Sequence, residues 1–215
     1  MRGMEIDLTY VVTVLGVILV SMTLHEAMHA FTSYWLGDDT ARLQGRLTLN
    51  PIKHIDPFLT ILLPVMLAIA GGPIFGGAKP VPFNPDRVKY DEWGAALVAI
   101  AGPLTNLLIA FVLFGAMAVL QLSPLQGIGA VLMIAVSVNL GFFVFNMLPI
   151  PPLDGSRVLY ALAPEFVRRG MEVVEQFGII VVFAVVLLAN SVVGQIMGSG
   201  INAILQLFVA IFGVS

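Results

Sequence analysis

His25-Glu26-Ala27-Met28-His29 stands at the end of the apolar run 6–22, and this placement constrains the fold more than any other feature of the chain. A run of that length can cross a bilayer as a helix, because a helix satisfies its own backbone N–H and C=O groups where no water is present. Ionisable side chains at that depth are costly and are rarely kept without a partner or a task. On a helix, positions 25 and 29 lie one turn apart on one face. Two imidazoles so spaced bind one zinc ion, and Glu26, on a neighbouring bearing, is placed to act as general base toward a water that the metal polarises. The plain alternative, two histidines used for packing or hydrogen bonding, is weakened by the lipid setting.

The composition bounds the rest. Of 215 residues, 59% are hydrophobic and only 11% charged, where a soluble domain carries about a quarter charged residues. The expectation is a single membrane-embedded domain over 1–215, all-α and polytopic. A net charge of −3 offers no footprint for nucleic acid. The chain has no cysteine, which excludes disulfides and thiolate ligands. The first apolar run lacks a small-residue cleavage site and reads as a retained span, not a signal peptide. No solenoid-type repeat is visible.

Apolar runs at 6–36, 94–120, 128–147, 174–190 and 193–212 read as spans, the first stopping at Gly37. The run 57–72 is short and holds Pro64, so it reads as a thin span or a re-entrant segment. The architecture expected is a bundle of five to six transmembrane helices with one re-entrant or short segment. Leu43 to Leu49 alternates in the manner of a short strand or hairpin, and Asn50-Pro51 reads as a turn. Residues 71–85 are too rich in Gly and Pro for a helix and read as an ordered loop with extended pieces.

Four polar features invite chemistry. Ala101-Gly102-Pro103-Leu104-Thr105-Asn106 places a proline and a strong hydrogen-bonding amide inside a span. It reads either as a kink with Asn106 tying helices together or as part of a site. Asn146-Met147-Leu148-Pro149-Ile150-Pro151-Pro152-Leu153-Asp154-Gly155 stops a span with three prolines. Backbone of that kind at membrane depth must be buried in protein or face water. Asp154 then either caps the helix that follows or supplies a third, anionic ligand to a His-His site. His54 is the rival third ligand, although a loop histidine beside Lys53 and Asp56 is more often a local hydrogen-bonding residue.

Nine of the ten Lys and Arg residues fall in 37–56, 73–93 and 148–172. The positive-inside rule puts all three loops in the cytoplasm. This requires 57–72 to enter and leave from one side. The chemistry requires the same, since the helix carrying His25 and the helix before Asp154 must run parallel for their ends to meet. The expected topology has an outside N-terminus, an inside C-terminus and a site opening to the cytoplasm.

The chain resembles the site-2 protease family of intramembrane zinc metalloproteases, in its short form without PDZ or CBS domains. The resemblance rests on His25-Glu26-x-x-His29, on Asn146-x-x-Pro149-x-Pro151-x-Leu153-Asp154-Gly155, and on Gly102-Pro103-x-x-Asn106 between them. Gly45-Arg46-Leu47-Thr48-Leu49-Asn50-Pro51 and Lys79-Pro80-Val81-Pro82-Phe83-Asn84-Pro85 are also similar to stretches of short members. It implies one zinc ion held by His25, His29 and Asp154, Glu26 as general base, Asn146 as a donor to the scissile carbonyl, and Asn106 as a substrate contact. It implies a multi-pass cell-membrane endopeptidase in the lipid bilayer, acting on a transmembrane protein or peptide. The rival classes are a zinc or cation transporter, which inverted repeats would support, and a non-catalytic scaffold. A transmembrane helix hides its carbonyls in its own hydrogen bonds, so a substrate must unwind before it is cut. Replacing the Gly, Pro and Asn of a cleavable transmembrane reporter with Leu is therefore expected to slow its cleavage; an unchanged rate would contradict this.

Overall fold

The computed structural model describes residues 8–62, 66, 78–188 and 190–214. The first helix, α1 (Leu8–Trp35), ends as its sequence predicts. Gly37 takes a φ of +109°, and the N–H groups of Gly37 and Asp38 bond back to Tyr34 O and Ser33 O at 3.1 Å each. This is the paired closing bond of a glycine-terminated helix, a conformation that a side chain at Gly37 would strain. The chain then passes through α2 (Thr40–Leu43) and single turns at Pro51–Lys53, Pro57–Leu62 and Pro85–Arg87. Two long helices follow, α3 (Asp91–Val119) and α4 (Gly127–Asn146). Then come α5 (Asp154–Leu162), α6 (Glu165–Glu175), α7 (Ile179–Leu188) and α8 (Asn190–Phe212).

Helix α3 is the hub and packs against α1, α4 and α5. Its small residues make this close approach feasible: Gly94, Ala95, Gly102 and Ala110 are all buried, the small surfaces expected from the sequence. Gly115 lies against α8 so closely that a Cβ there would stand 2.6 Å from Phe212. Ala110, Met117, Val136, Leu140 and Phe208 fill the seam between α3, α4 and α8. Val14, Ile18 and Met22 of α1 meet Phe142 of α4 and Ala78. On the outside, Val12, Val20, Leu108, Val112 and Leu207 stay exposed, the surface that lipid rather than water would cover.

Among the described residues four helices are long and apolar enough to cross a membrane: Leu8–Trp35, Asp91–Val119, Gly127–Asn146 and Ser191–Phe212. The apolar run 174–190 is not one continuous helix. Gly178, with a φ of +51°, ends α6 by donating to Glu175 O at 2.8 Å. The hairpin expected at Leu43 to Leu49 does not form; among the described residues there is no strand. Gly45, with a φ of +66°, turns the chain after α2, and Arg46 N bonds back to Ala41 O at 2.8 Å, so local turn bonds replace a ladder. Of the run 57–72, residues 63–65 and 67–72 lie outside the described residues. Its flanks do meet: Lys79 N donates to His54 O at 2.9 Å, so the chain leaves and returns at one place.

The basic loops gather at one end of the bundle. Lys89 N donates to Leu36 O at 2.9 Å, Arg87 Nη1 pairs with Asp39 at 2.9 Å, and Arg168 Nη1 pairs with Glu92 at 3.3 Å. The knot of this end is Asp38, fully buried. Its carboxylate accepts from Ser33 Oγ at 3.0 Å, Thr40 N at 3.0 Å, Thr40 Oγ and Asn84 N at 2.7 Å. Burial by itself raises a carboxyl pKa, but these bonds from Thr40, Asn84 and Ser33 outweigh it and hold Asp38 below its ordinary range. A depressed folded-state pKa gives stability that is complete above the unfolded value and is lost as pH falls through the folded one. Asp38→Asn is therefore expected to destabilise the chain by about 2 kcal/mol at neutral pH. The gap from wild type should close below about pH 4 in thermal melts across a pH series.

Candidate metal centre

The site is built where α1, α3 and the start of α5 converge. His25 and His29 stack along one face of α1, with His25 Nε2 and His29 Nε2 3.0 Å apart. Asp154 Oδ2 lies 3.2 Å from His25 Nε2 and 3.5 Å from His29 Nε2. Among the described residues this is the one group of three such ligands. A tetrahedral zinc ion with bonds of about 2.0–2.1 Å needs its ligand atoms about 3.3 Å apart, and the three observed edges bracket that value.

The proton positions point the same way. His25 Nδ1 lies 2.6 Å from Asn106 Oδ1, and His29 Nδ1 lies 2.7 Å from Val98 O. Both partners are carbonyl oxygens that only accept, so each neutral ring carries its proton on Nδ1 and its lone pair on Nε2. The Asn106 amide is oriented by donating through Nδ2 to Asn139 Oδ1 at 2.9 Å. Two imidazole Nε2 atoms and a carboxylate oxygen thus face one another in a buried site. A cation balances that arrangement, and the donor set suits zinc.

Glycine makes the geometry accessible. A Cβ on Gly102 would lie 2.5 Å from His29 Nε2 and 2.6 Å from His25 Nε2, so only a residue without a side chain leaves those nitrogens free. Gly155 plays the matching part for Asp154. A Cβ there would fall 2.3 Å from Met147 O, and its absence lets α5 begin against the end of α4. Asp154 is the first residue of α5 and makes no capping bond; the cap position is Leu153. The helix-cap alternative for Asp154 is not what the structure adopts.

The other expected residues fall as follows. Glu26 is buried, and its Oε2 accepts from Val81 N at 2.8 Å. Asn106, expected against substrate, is fully buried behind His25 with its amide committed to His25 and Asn139. Asn146 ends α4, and its Nδ2 donates to Phe142 O at 3.0 Å. His54 stands outside the ligand group, with Nε2 2.8 Å from Thr48 O. Asn139 was not singled out in the sequence, yet it links Asn106 to Ser21 Oγ at 2.9 Å and Ala135 O at 2.8 Å. A buried asparagine in an apolar helix is the signal that pointed to it. Partners that fix a ligand's ring are worth about 10- to 100-fold in metal affinity. Asn106→Ala is expected to lose that much zinc affinity and Gly102→Ala more, measured by competition with a chelator; unchanged affinity in Gly102→Ala would contradict the geometry.

Comparison with known proteins gives a consistent answer. The description Peptidase family M50 matches residues 123–189, the stretch holding Asn146 and Asp154. The chain is 42% identical over 204 residues to "Putative zinc metalloprotease YwhC" of Bacillus subtilis, covering 91% of this chain and 90% of that protein. It is 37% identical over 171 residues to "Putative zinc metalloprotease Rip2" of Mycolicibacterium smegmatis, covering 76% of this chain and 62% of that one. "Putative zinc metalloprotease MJ0611" of Methanocaldococcus jannaschii is 38% identical over 100 residues, 46% of this chain and 50% of its own length. No solved structure matches. With similarity to YwhC running nearly end to end in both chains, and a three-ligand site of the kind that zinc requires, the chain belongs to peptidase family M50, the site-2 protease family of zinc metalloproteases.

Proposed function

We propose that the chain hydrolyses a peptide bond within or beside a transmembrane segment of a membrane-anchored substrate, the chemistry of regulated intramembrane proteolysis. The observation that carries this reading is the place of the site on a helix long and apolar enough to cross a membrane. His25 lies roughly 15 Å from the Trp35 end of α1 at a rise of 1.5 Å per residue, which sets the site below the lipid surface with Trp35 at the interface. A hydrolytic site at that level acts on segments held in the membrane.

His25, His29 and Asp154 hold the zinc ion. Bound there, it supplies Lewis acidity and makes water nucleophilic at neutral pH. Glu26 takes the proton of the attacking water and passes it to the leaving amine. Asn146 uses one amide proton on Phe142 O, and its second is available to the scissile carbonyl oxygen as charge builds on it. Asn106 keeps the His25 ring in place and fixes its tautomer. The substrate segment must unwind to present its carbonyl to these groups.

In the membrane the clustered basic loops face the cytoplasm, and the site opens with them. The apolar helix α7 adds a further membrane element to the four long helices. The closeness of His54 and Lys79 supports placing both of their loops on one side.

The test is purified protein in liposomes with a transmembrane reporter, assayed for both zinc and cleavage. Glu26→Gln is expected to keep one zinc per chain and to cleave about 10²- to 10⁴-fold more slowly. Asp154→Ala is expected to lose zinc. Wild-type turnover by Glu26→Gln would overturn the assignment of the base, and wild-type zinc affinity in Asp154→Ala would remove that ligand.

A further inference from the structure

Arg46 is a buried cation with no carboxylate in contact. It is 6% exposed and takes part in no ion pair among the described residues. Its Nη2 donates to two backbone carbonyls, Lys79 O at 2.5 Å and Pro80 O at 3.4 Å, and its Nε has no partner. A buried charge without a paired opposite charge costs several kcal/mol, and a neutral side chain could bond two carbonyls without that cost. The charge of Glu26 acts on Arg46.

The two residues meet through the strap 78–84. Lys79-Pro80-Val81-Pro82-Phe83 alternates proline with other residues. Prolines 80 and 82 have no N–H, so Val81 carries the single backbone donor between Lys79 and Phe83. That donor goes to Glu26 Oε2 at 2.8 Å. The strap is tied on both sides of it: Lys79 N bonds His54 O at 2.9 Å, and Asn84 N bonds Asp38 Oδ2 at 2.7 Å. Arg46 grips the carbonyl of the peptide unit that carries the Val81 N–H and that of the unit before it.

We infer that Arg46 is a positioning residue for Glu26: it clamps the strap so that the Val81 N–H fixes Glu26 Oε2, and the other carboxylate oxygen is left to handle the proton. This rests on the reading of Glu26 as the base. The K-P-V-P-F run follows from the same requirement, since the prolines stiffen the strap and leave it one amide to aim.

The experiment uses the full chain in lipid. The protein has no cysteine, so a nitroxide on Lys79→Cys, an exposed strap position, reports strap mobility without background and without reference to catalysis. Arg46→Gln is expected to mobilise the label and to lower kcat about 10- to 100-fold, with KM and zinc content unchanged. Arg46→Lys, which keeps the charge, should recover most of the rate. Replacing the Val81 amide with an ester removes the N–H, weakens only the longer of the two Arg46 contacts, that to Pro80 O at 3.4 Å, and should lower kcat by a similar factor. Combined with Arg46→Gln it should do no further harm, since both act through one contact. A label that stays immobile in Arg46→Gln, losses that multiply in the double variant, or an ester variant with wild-type kcat would each overturn the inference. The ester result decides even if Arg46→Gln fails to fold. A wild-type protein that cuts no reporter would sink the proteolytic reading instead, while label mobility still reports on the clamp.

Discussion

Three electron-rich atoms, two imidazole nitrogens and a carboxylate oxygen, are held within 3.5 Å of one another where water is scarce. They are donors that a shared cation would draw together, and in a low-dielectric interior that attraction is poorly screened. The protein keeps them together by spending its other contacts on them. Each ring has its second nitrogen fixed by a carbonyl, α3 gives up a side chain at Gly102, and α5 gives one up at Gly155. The cluster so assembled offers a cation three donors at once, and the donor set suits zinc.

The rest of the architecture serves this convergence. Helix α3 works because its buried face is made of glycine and alanine, which brings the Val98 carbonyl and the Asn106 amide onto α1. Behind them Asn106, Asn139 and Ser21 form a short polar chain joining α1, α3 and α4. Every amide in it is matched, which is the condition for polar groups at such depth. At the loop end, Asp38 and Arg46 do for the strap 78–84 what these residues do for the histidines: a buried charge spread over several backbone groups sets the position of a neighbour.

Much of the site was legible in the sequence because its chemistry is local. His25 and His29 are one helical turn apart, and Gly37 and Pro149 mark where helices must stop. The glycine before Pro103 was visible as a small surface, though only the fold shows that it faces the Nε2 atoms of His25 and His29. What escaped the sequence is long-range. Asn139 finds Asn106 across 33 positions and Ser21 across 118, and no spacing rule encodes that. The alternation from Leu43 to Leu49 suggested a strand, but Gly45 and the side chain of Arg46 commit the segment to a turn and a clamp. The run 174–190 looked like one span by hydropathy, and a single positive-φ glycine, Gly178, divides it.

The most direct test of the central claim is X-ray absorption at the zinc edge on the purified, lipid-embedded protein. The account predicts one zinc per chain with nitrogen and oxygen neighbours at about 2.0–2.1 Å and outer-shell scattering from two imidazole rings. Zinc without imidazole scattering, or with more than two rings, would contradict it.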